Sequence, residues 1–209
     1  MNAIEDLSTL IEYIDSTYNK VTSKWCKDRT LIHQKRNLVR DIELGNDIYN
    51  NIIAYHAFIN DENPEISFKA PELQSAIRFR VKNTNAIEYK IQRYKNSKEH
   101  LFGKIPINKC LNDLYGARII IDSGLTPAEI CNLINKIYGG KYKCINSSNN
   151  GYKAAHLYFK IKEDNRNYQW ELQIWNIRDE KNNIESHELY QQEYTKWERE
   201  NKEGGIIND

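Results

Sequence analysis

The chain has 209 residues, 40% of them hydrophobic and 28% charged, with a formal net charge of +1; this suits one sizeable folded domain and excludes a disordered polyelectrolyte. No apolar run approaches the ~20 residues of a membrane span, and the opening MNAIEDLSTL carries acids where a secretory signal carries bases, so a cytoplasmic protein is expected. The four cysteines, Cys26, Cys110, Cys131 and Cys144, show no CxxC spacing, which argues against a zinc site and against a disulfide framework.

Residues 1–60 have helical spacing. Leu7, Leu10, Ile11 and Ile14 share one stripe, and Leu31, Leu38, Ile42, Ile48 and Ile52 continue it with a break near Gly45. The turn-rich NDENPEISFKAP (60–71) marks a boundary, so the expected division is a helical region over 1–65 packing on a second region over 66–209. Short strands then alternate with helices, the pattern of an α/β or α+β core. AIRFRVK (76–82) alternates, with Ile77, Phe79 and Val81 inward and Arg78, Arg80 and Lys82 on the other face. The helix NAIEYKIQRYK sets Lys90 and Arg93 opposite an Ile87/Ile91/Tyr94 stripe, and ARIIID (117–122) reads as a buried strand. TPAEICNLINKIYGG (126–140) is a helix capped by Thr126, with Pro127 in its first turn, Glu129 completing a capping box and Gly139 stopping it; Ile130, Leu133, Ile134 and Ile137 form its expected buried stripe. Strands near 141–145, 155–162 and 167–175 follow, and a helix over about 183–201 closes the chain.

Charge is unevenly placed. From Ala76 to Arg118 ten Lys/Arg face three acids, a net of +7, whereas Arg178 to Asp209 holds five Lys/Arg and nine acids, a net of −4. A positive field of that kind suits a polyanion, although a solvated basic face has the same composition. Arg78, Arg80 and Lys82 are either such a face or a polyphosphate clamp to which Lys90 adds. Asp113, just ahead of a strand, is either a turn residue or a magnesium ligand. Tyr152, straight after Gly151, reads as a loop-rim tyrosine held out on a turn or as a platform for a nucleobase. NYQWELQIW (167–175) puts Tyr168, Trp170, Leu172 and Ile174 on one face and Gln169, Glu171, Gln173 and Trp175 on the other. Glu171, an acid in mid-strand, pairs with a surface lysine or takes part in metal-assisted phosphoryl transfer.

Taken in order, RVKNTNAIEYK, DLYGARIII, NGYKAAH, ELQI and the closing ESHELY resemble the RelA/SpoT-type synthetase domain in its small single-domain form, the small alarmone synthetases. The resemblance covers about 76–195. It implies a mixed sheet of about five strands flanked by helices, nucleotidyltransferase-like, and transfer of the β,γ-diphosphate of ATP to a ribose 3′-hydroxyl with release of AMP. It implies that Arg80, Lys82 and Lys90 hold the ATP phosphates, with Arg78 beside them. Asp113 then ligates Mg²⁺, and Glu171 assists the metal and takes the hydroxyl proton. Tyr152 stacks on the acceptor's base, flanked by Lys153 and His156, and Gln173 orients the acceptor. Two departures stand out. Ala86 replaces the family's usual Ser, and Trp175 replaces its usual Arg, without the His-x-Trp that commonly follows. The second touches the acceptor side, so two acceptors stay open. One is GDP or GTP, giving an alarmone. The other is the 3′-CCA end of tRNA, as in the toxic branch restrained by an antitoxin. A non-catalytic RNA- or nucleotide-binding module, studded by Tyr89, Tyr94 and Tyr152, is the competing reading, and the terminal helices suit an inhibitory partner or a homo-oligomer.

Overall fold

A computed structural model describes residues 3–27, 29–64 and 77–204, apart from the side chains of 190, 191, 198 and 200–204. Helix α1 (Ala3–Trp25) buries Leu7, Leu10, Ile11, Ile14, Tyr18, Val21 and Trp25 along one stripe, as its spacing requires. The chain then runs irregularly to a 3₁₀ turn at Val39–Asp41 and on to α2 (Asp47–Glu62), capped by the Asn46 side chain accepting from the Tyr49 amide. The helical reading of 31–42 is therefore corrected. The amides of Gln34, Val39 and Ile107 donate to the carbonyls of Asn165, Ile105 and Asn37, so this segment pairs with distant chain rather than with its own preceding turn. The sequence boundary at 60–71 coincides with the end of α2, and its part from 65 onward lies outside the described residues.

Five strands follow: β1 (Ile77–Val81), β2 (Tyr115–Ile121), β3 (Lys143–Asn146), β4 (Ala155–Phe159) and β5 (Trp170–Asn176). They form one mixed sheet in the order β1-β2-β5-β4-β3, in which β2 and β5 are parallel and the other pairs antiparallel. Between them lie α3 (Thr84–Asn96), the single turn α4 (Ile107–Cys110) and α5 (Pro127–Tyr138); α6 (Glu180–Gly204) ends the described chain and starts three residues earlier than the sequence suggests. The expected α+β fold with a mixed five-stranded sheet is the observed one.

One sheet face is built of apolar side chains and is covered by α1 and α2. Trp170 lies edge-on to Tyr18 at 5.3 Å and donates its indole N–H to the Tyr55 hydroxyl at 2.8 Å, while Tyr55 stacks on Tyr168 at 4.3 Å. Each such ring removes ~150–250 Å² from water, which anchors the helices to β5. Helix α5 carries the capping box read from its sequence, with Thr126 and Glu129 reciprocally bonded. Its stripe is rotated from the expected one: Ile130, Cys131 and Ile134 are buried and Ile137 is 48% exposed, because the helix meets β3 through Cys131, whose Sγ touches that of Cys144. Among the described residues no helix is long and apolar enough to cross a membrane.

Candidate active site

The face of the sheet opposite α1 and α2 carries the polar alternate residues, and the strand register sets them in two rows. Arg80 lies opposite Gly116, Gly116 opposite Glu171, and Glu171 opposite Tyr158; beside that row run Arg78, Arg118, Gln173 and His156. Neighbouring strands are ~4.8 Å apart, so Arg80 and Glu171 face each other across a glycine. Gly116 is needed there: a Cβ would meet the Glu171 carbonyl oxygen at 3.3 Å, tighter than ordinary contact, and would stand on the floor between them.

Arg78 and Arg118 are direct cross-strand neighbours, an arrangement that like charges make unfavourable. Arg118 is relieved by neutral partners. Its guanidinium sits 3.6 Å from the Trp175 ring centre, bonds Gln173 Oε1 at 3.0 and 3.2 Å, and reaches His187 Nε2 at 3.0 Å. Burial, with Arg80 and Arg78 close by, pulls it down to about 10. Among the described residues none of Arg78, Arg80 and Arg118 forms an ion pair with a carboxylate. Three arginines on one sheet face, none of them in an ion pair, concentrate positive charge there.

Asp113 precedes β2 by two residues and Glu171 is the second residue of β5, so the parallel register brings both acids to one end of the strand pair. Asp113 is clamped by two ammonium groups, Lys82 at 2.6 Å and Lys90 at 2.9 Å, with all three side chains at most 14% exposed. Burial alone would raise the Asp113 carboxyl, but Lys90 and Lys82 outweigh it and hold it well below the carboxylate range. Burial pushes Lys82 down more than Asp113 restores, whereas for Lys90 the attraction of Asp113 exceeds the cost of burial and raises it. Lys82 is therefore not the third exposed cation of a strand face, as alternation suggests. The strand ends at Val81, the Lys82 amide bonds the Leu114 carbonyl, and Asn83 caps α3.

Glu171 is 6% exposed and accepts from three side chains: Tyr158 Oη at 3.0 Å, His156 Nδ1 at 3.0 Å and Gln173 Nε2 at 2.8 Å. Burial and the Asp113 charge would raise its carboxyl; the His156 and Gln173 bonds hold it below its ordinary value, so it is ionised. Tyr152 is folded back rather than held out on its turn, which corrects the expectation. The Asn149–Tyr152 bridge closes the turn, and the ring meets His156, Trp175 and His187 edge-on at 5.5–5.9 Å. Lys153 is not drawn into this network. Its backbone is gripped by the buried Asn183 at 2.7 and 2.9 Å, and its exposed ammonium lies 3.5 Å from Asp179. The remaining sequence-predicted residues, Arg78, Arg80, Lys82, Lys90, Asp113, His156, Glu171 and Gln173, all meet at this face or its end.

Three further residues belong to the site. Arg118 was hidden inside an apolar run, although strand alternation from Gly116 places it on the Glu171 face. Tyr158 joins the site from β4, donating its hydroxyl to Glu171, and His187, which lies within ESHELY, joins it from α6. Burial and the charges of Arg118 and Arg80 push His187 down to about 4. Its ordinary value is 6.5, so between those limits the unfolded chain binds the proton that the folded one refuses, and stability falls as the pH falls through that window. His187→Gln should flatten the dependence of the unfolding midpoint on pH between 6.5 and 4, measured by thermal melts; an unchanged slope would show that His187 is not held neutral.

Two ionised carboxylates beside a cluster of cations fit Mg²⁺, which characteristically takes one or two protein carboxylates and completes its shell from phosphates and water. Among the described residues no three His, Cys, Asp or Glu side chains are grouped as a ready-made metal site.

No protein-family model and no curated protein matches the chain. Solved structures do resemble it, with TM-scores of 0.40 or below. The small alarmone synthetase 1 from Bacillus subtilis aligns at 14% identity and TM-score 0.40, over 70% of this chain and 80% of that one. Small alarmone synthetase 2 from the same organism aligns at 22% identity and TM-score 0.39, over 70% and 82%. The first of these bound to AMPCPP aligns at 13% and TM-score 0.35, over 70% and 76%. The chain is thus similar to small alarmone synthetase structures at distant identity, and the reading of its site rests on its own residues.

Proposed function

We propose that the protein is an ATP-dependent pyrophosphokinase of the RelA/SpoT type, acting in the cytoplasm. The observation that carries this is the meeting of Asp113 and Glu171 at one end of the β2–β5 pair, beside Lys82, Lys90, Arg80 and Arg78. Binding a polyphosphate needs the cations alone; two buried ionised acids among them are what a metal-assisted transfer adds.

In this reading Arg78, Arg80, Lys82 and Lys90 hold the triphosphate of ATP. Asp113 and Glu171 would hold Mg²⁺, which would supply neutralisation of the charge on the phosphates. Glu171 accepts the proton of a ribose 3′-hydroxyl whose oxygen bonds to the β-phosphorus; the bond from that phosphorus to the oxygen bridging to the α-phosphate breaks, and AMP leaves. Gln173 and His156 orient Glu171, and Tyr152 borders the acceptor. The acceptor is GDP or GTP, which makes the product a (p)ppGpp alarmone of the stringent response, or the tRNA 3′-CCA end, which makes the protein a translation-blocking toxin with an antitoxin partner.

Incubation of the purified protein with Mg²⁺ and ATP labelled in the β-phosphate, separately with GDP, GTP and deacylated tRNA, should give AMP and one labelled acceptor. The labelled arm identifies the acceptor. If no acceptor gains label while the folded protein binds ATP, the transfer is wrong and a non-catalytic nucleotide- or RNA-binding module takes its place.

A further inference from the structure

Two cysteines meet where α5 packs against the edge strand β3. Cys131 lies within α5 and Cys144 within β3, and their Sγ atoms are 2.7 Å apart, both as free thiols. A disulfide brings sulfurs to about 2.05 Å, so this pair stops about 0.7 Å short of bonding distance. Cys144 is the cross-strand partner of the buried Leu157 and shares its face, whereas His156 and Tyr158 on either side of Leu157 point to the face of Glu171. The sulfur pair therefore lies across the sheet from the candidate active site. Cys144 is only half-buried, which opens the pair to a small reagent from the sheet edge.

The pair also differs chemically from the other two cysteines. Burial pushes the Cys110 thiol up to about 12 and raises that of Cys26. The bond between the two sulfurs lowers Cys131 and raises Cys144, so Cys131 is the better nucleophile and Cys144 keeps its proton.

We propose that Cys131 and Cys144 form a reversible thiol-oxidation site, with a peroxide as oxidant and a dithiol as reductant, whose disulfide locks α5 to the edge of the sheet. The Cys131 sulfur attacks one peroxide oxygen and the O–O bond breaks. A sulfenic acid forms, and the departing hydroxide takes up the proton that the thiol gave. The Cys144 sulfur then attacks the Cys131 sulfur; the S–O bond breaks, and the hydroxyl leaves with the Cys144 proton as water. The two sulfurs lose two electrons and the peroxide gains them. A dithiol reverses the bond by exchange, so in a reducing compartment the pair rests as thiols and closes only while oxidant is present. The gain is mechanical. β3 has a single strand neighbour, β4, and the disulfide adds a covalent tie that closes a loop between residues 13 apart. Nothing in this depends on the transfer reaction.

The test treats the purified protein with hydrogen peroxide, blocks the remaining thiols with N-ethylmaleimide under denaturing conditions, and maps the digest by mass spectrometry beside a sample reduced with dithiothreitol. One intramolecular cross-link should join the peptides of Cys131 and Cys144, short of two hydrogens, with Cys26 and Cys110 alkylated, and dithiothreitol should remove it. The oxidised protein should melt about 5–10 °C above the reduced one, the scale for closing a loop of this length in a chain of this size, and the β3 amides should exchange more slowly. Cys144→Ala should leave a sulfenic acid at Cys131 that dimedone traps, without the rise in melting midpoint; Cys131→Ala should show neither. Absence of the cross-link overturns the proposal, as does a cross-link through Cys26 or Cys110. A Cys131–Cys144 cross-link that leaves both the midpoint and the β3 exchange unmoved overturns the lock.

Discussion

Asp113→Asn should destabilise the protein by about 3 kcal/mol, the range for removing one partner from a buried ion cluster. The two ammonium groups meet on the two oxygens of this one carboxylate, at 2.6 and 2.9 Å, where little water reaches. An amide cancels neither charge, and its own NH₂ faces one of the two donors. Lys82 is the group that yields, since burial already pushes it down. The variant should therefore regain part of its loss at alkaline pH, where that lysine goes neutral. On the acid side the sign is opposite. The folded carboxyl is depressed below its ordinary 3.8, so its contribution is complete above that value and is lost as the pH falls toward the folded value. The gap between wild type and variant should close under acid. At neutral pH a melt should show a midpoint roughly 10 °C lower for a chain of this length. A loss under ~1 kcal/mol would mean that the cluster behaves as a solvated surface pair. Lys82→Met, which leaves Asp113 and Lys90 matched, should cost clearly less than Asp113→Asn. Under the proposed reaction Asp113→Asn should also abolish any gain in ATP affinity from Mg²⁺ while leaving metal-free ATP bound, because Lys82 and Lys90 both remain.

The parts of this site that were legible in the sequence are those written in a single element's period. The strand WELQIW places Glu171 and Gln173 opposite Trp170 and Leu172 by alternation alone, and the Thr126–Glu129 box announces α5 because cap and partner are three residues apart. What was not legible depends on chain far away. Residues 31–42 have helical spacing, yet their amides and carbonyls are claimed by 105–108 and by Asn165. Lys82 fails for a subtler reason: alternation was carried one residue past the end of β1, and there the chain turns to seat its amide on Leu114 and its ammonium on Asp113. Arg118 was masked by its apolar neighbours, although a buried strand with one arginine in it already implies a face that is not core. Tyr152 was read from its turn alone, and Trp175, twenty-three residues on, is what draws its hydroxyl inward.

Glu171→Gln should lower turnover by about 10³-fold or more under the proposed reaction, because a positioned proton acceptor contributes ~10²–10⁴-fold and the same carboxylate serves the metal. The substitution keeps the side chain's shape. Its amide oxygen can still accept from two of the three donors, Tyr158, His156 and Gln173, and the third is left facing an N–H. One such clash costs about 1–3 kcal/mol, which a chain of this size can carry and still fold. ATP affinity should hold within a few-fold, since Arg78, Arg80, Lys82 and Lys90 are untouched; a calorimetric titration separates that from turnover. Glu171→Asp is the complementary variant. It keeps the charge but withdraws it by one methylene, away from His156 and Tyr158, so a residue needed for its position should fail nearly as badly as the amide, whereas one needed only for its charge should retain most of its rate. Turnover within threefold of wild type in Glu171→Gln would remove this carboxylate from the chemistry and leave the row from Arg80 to Tyr158 as a binding surface alone.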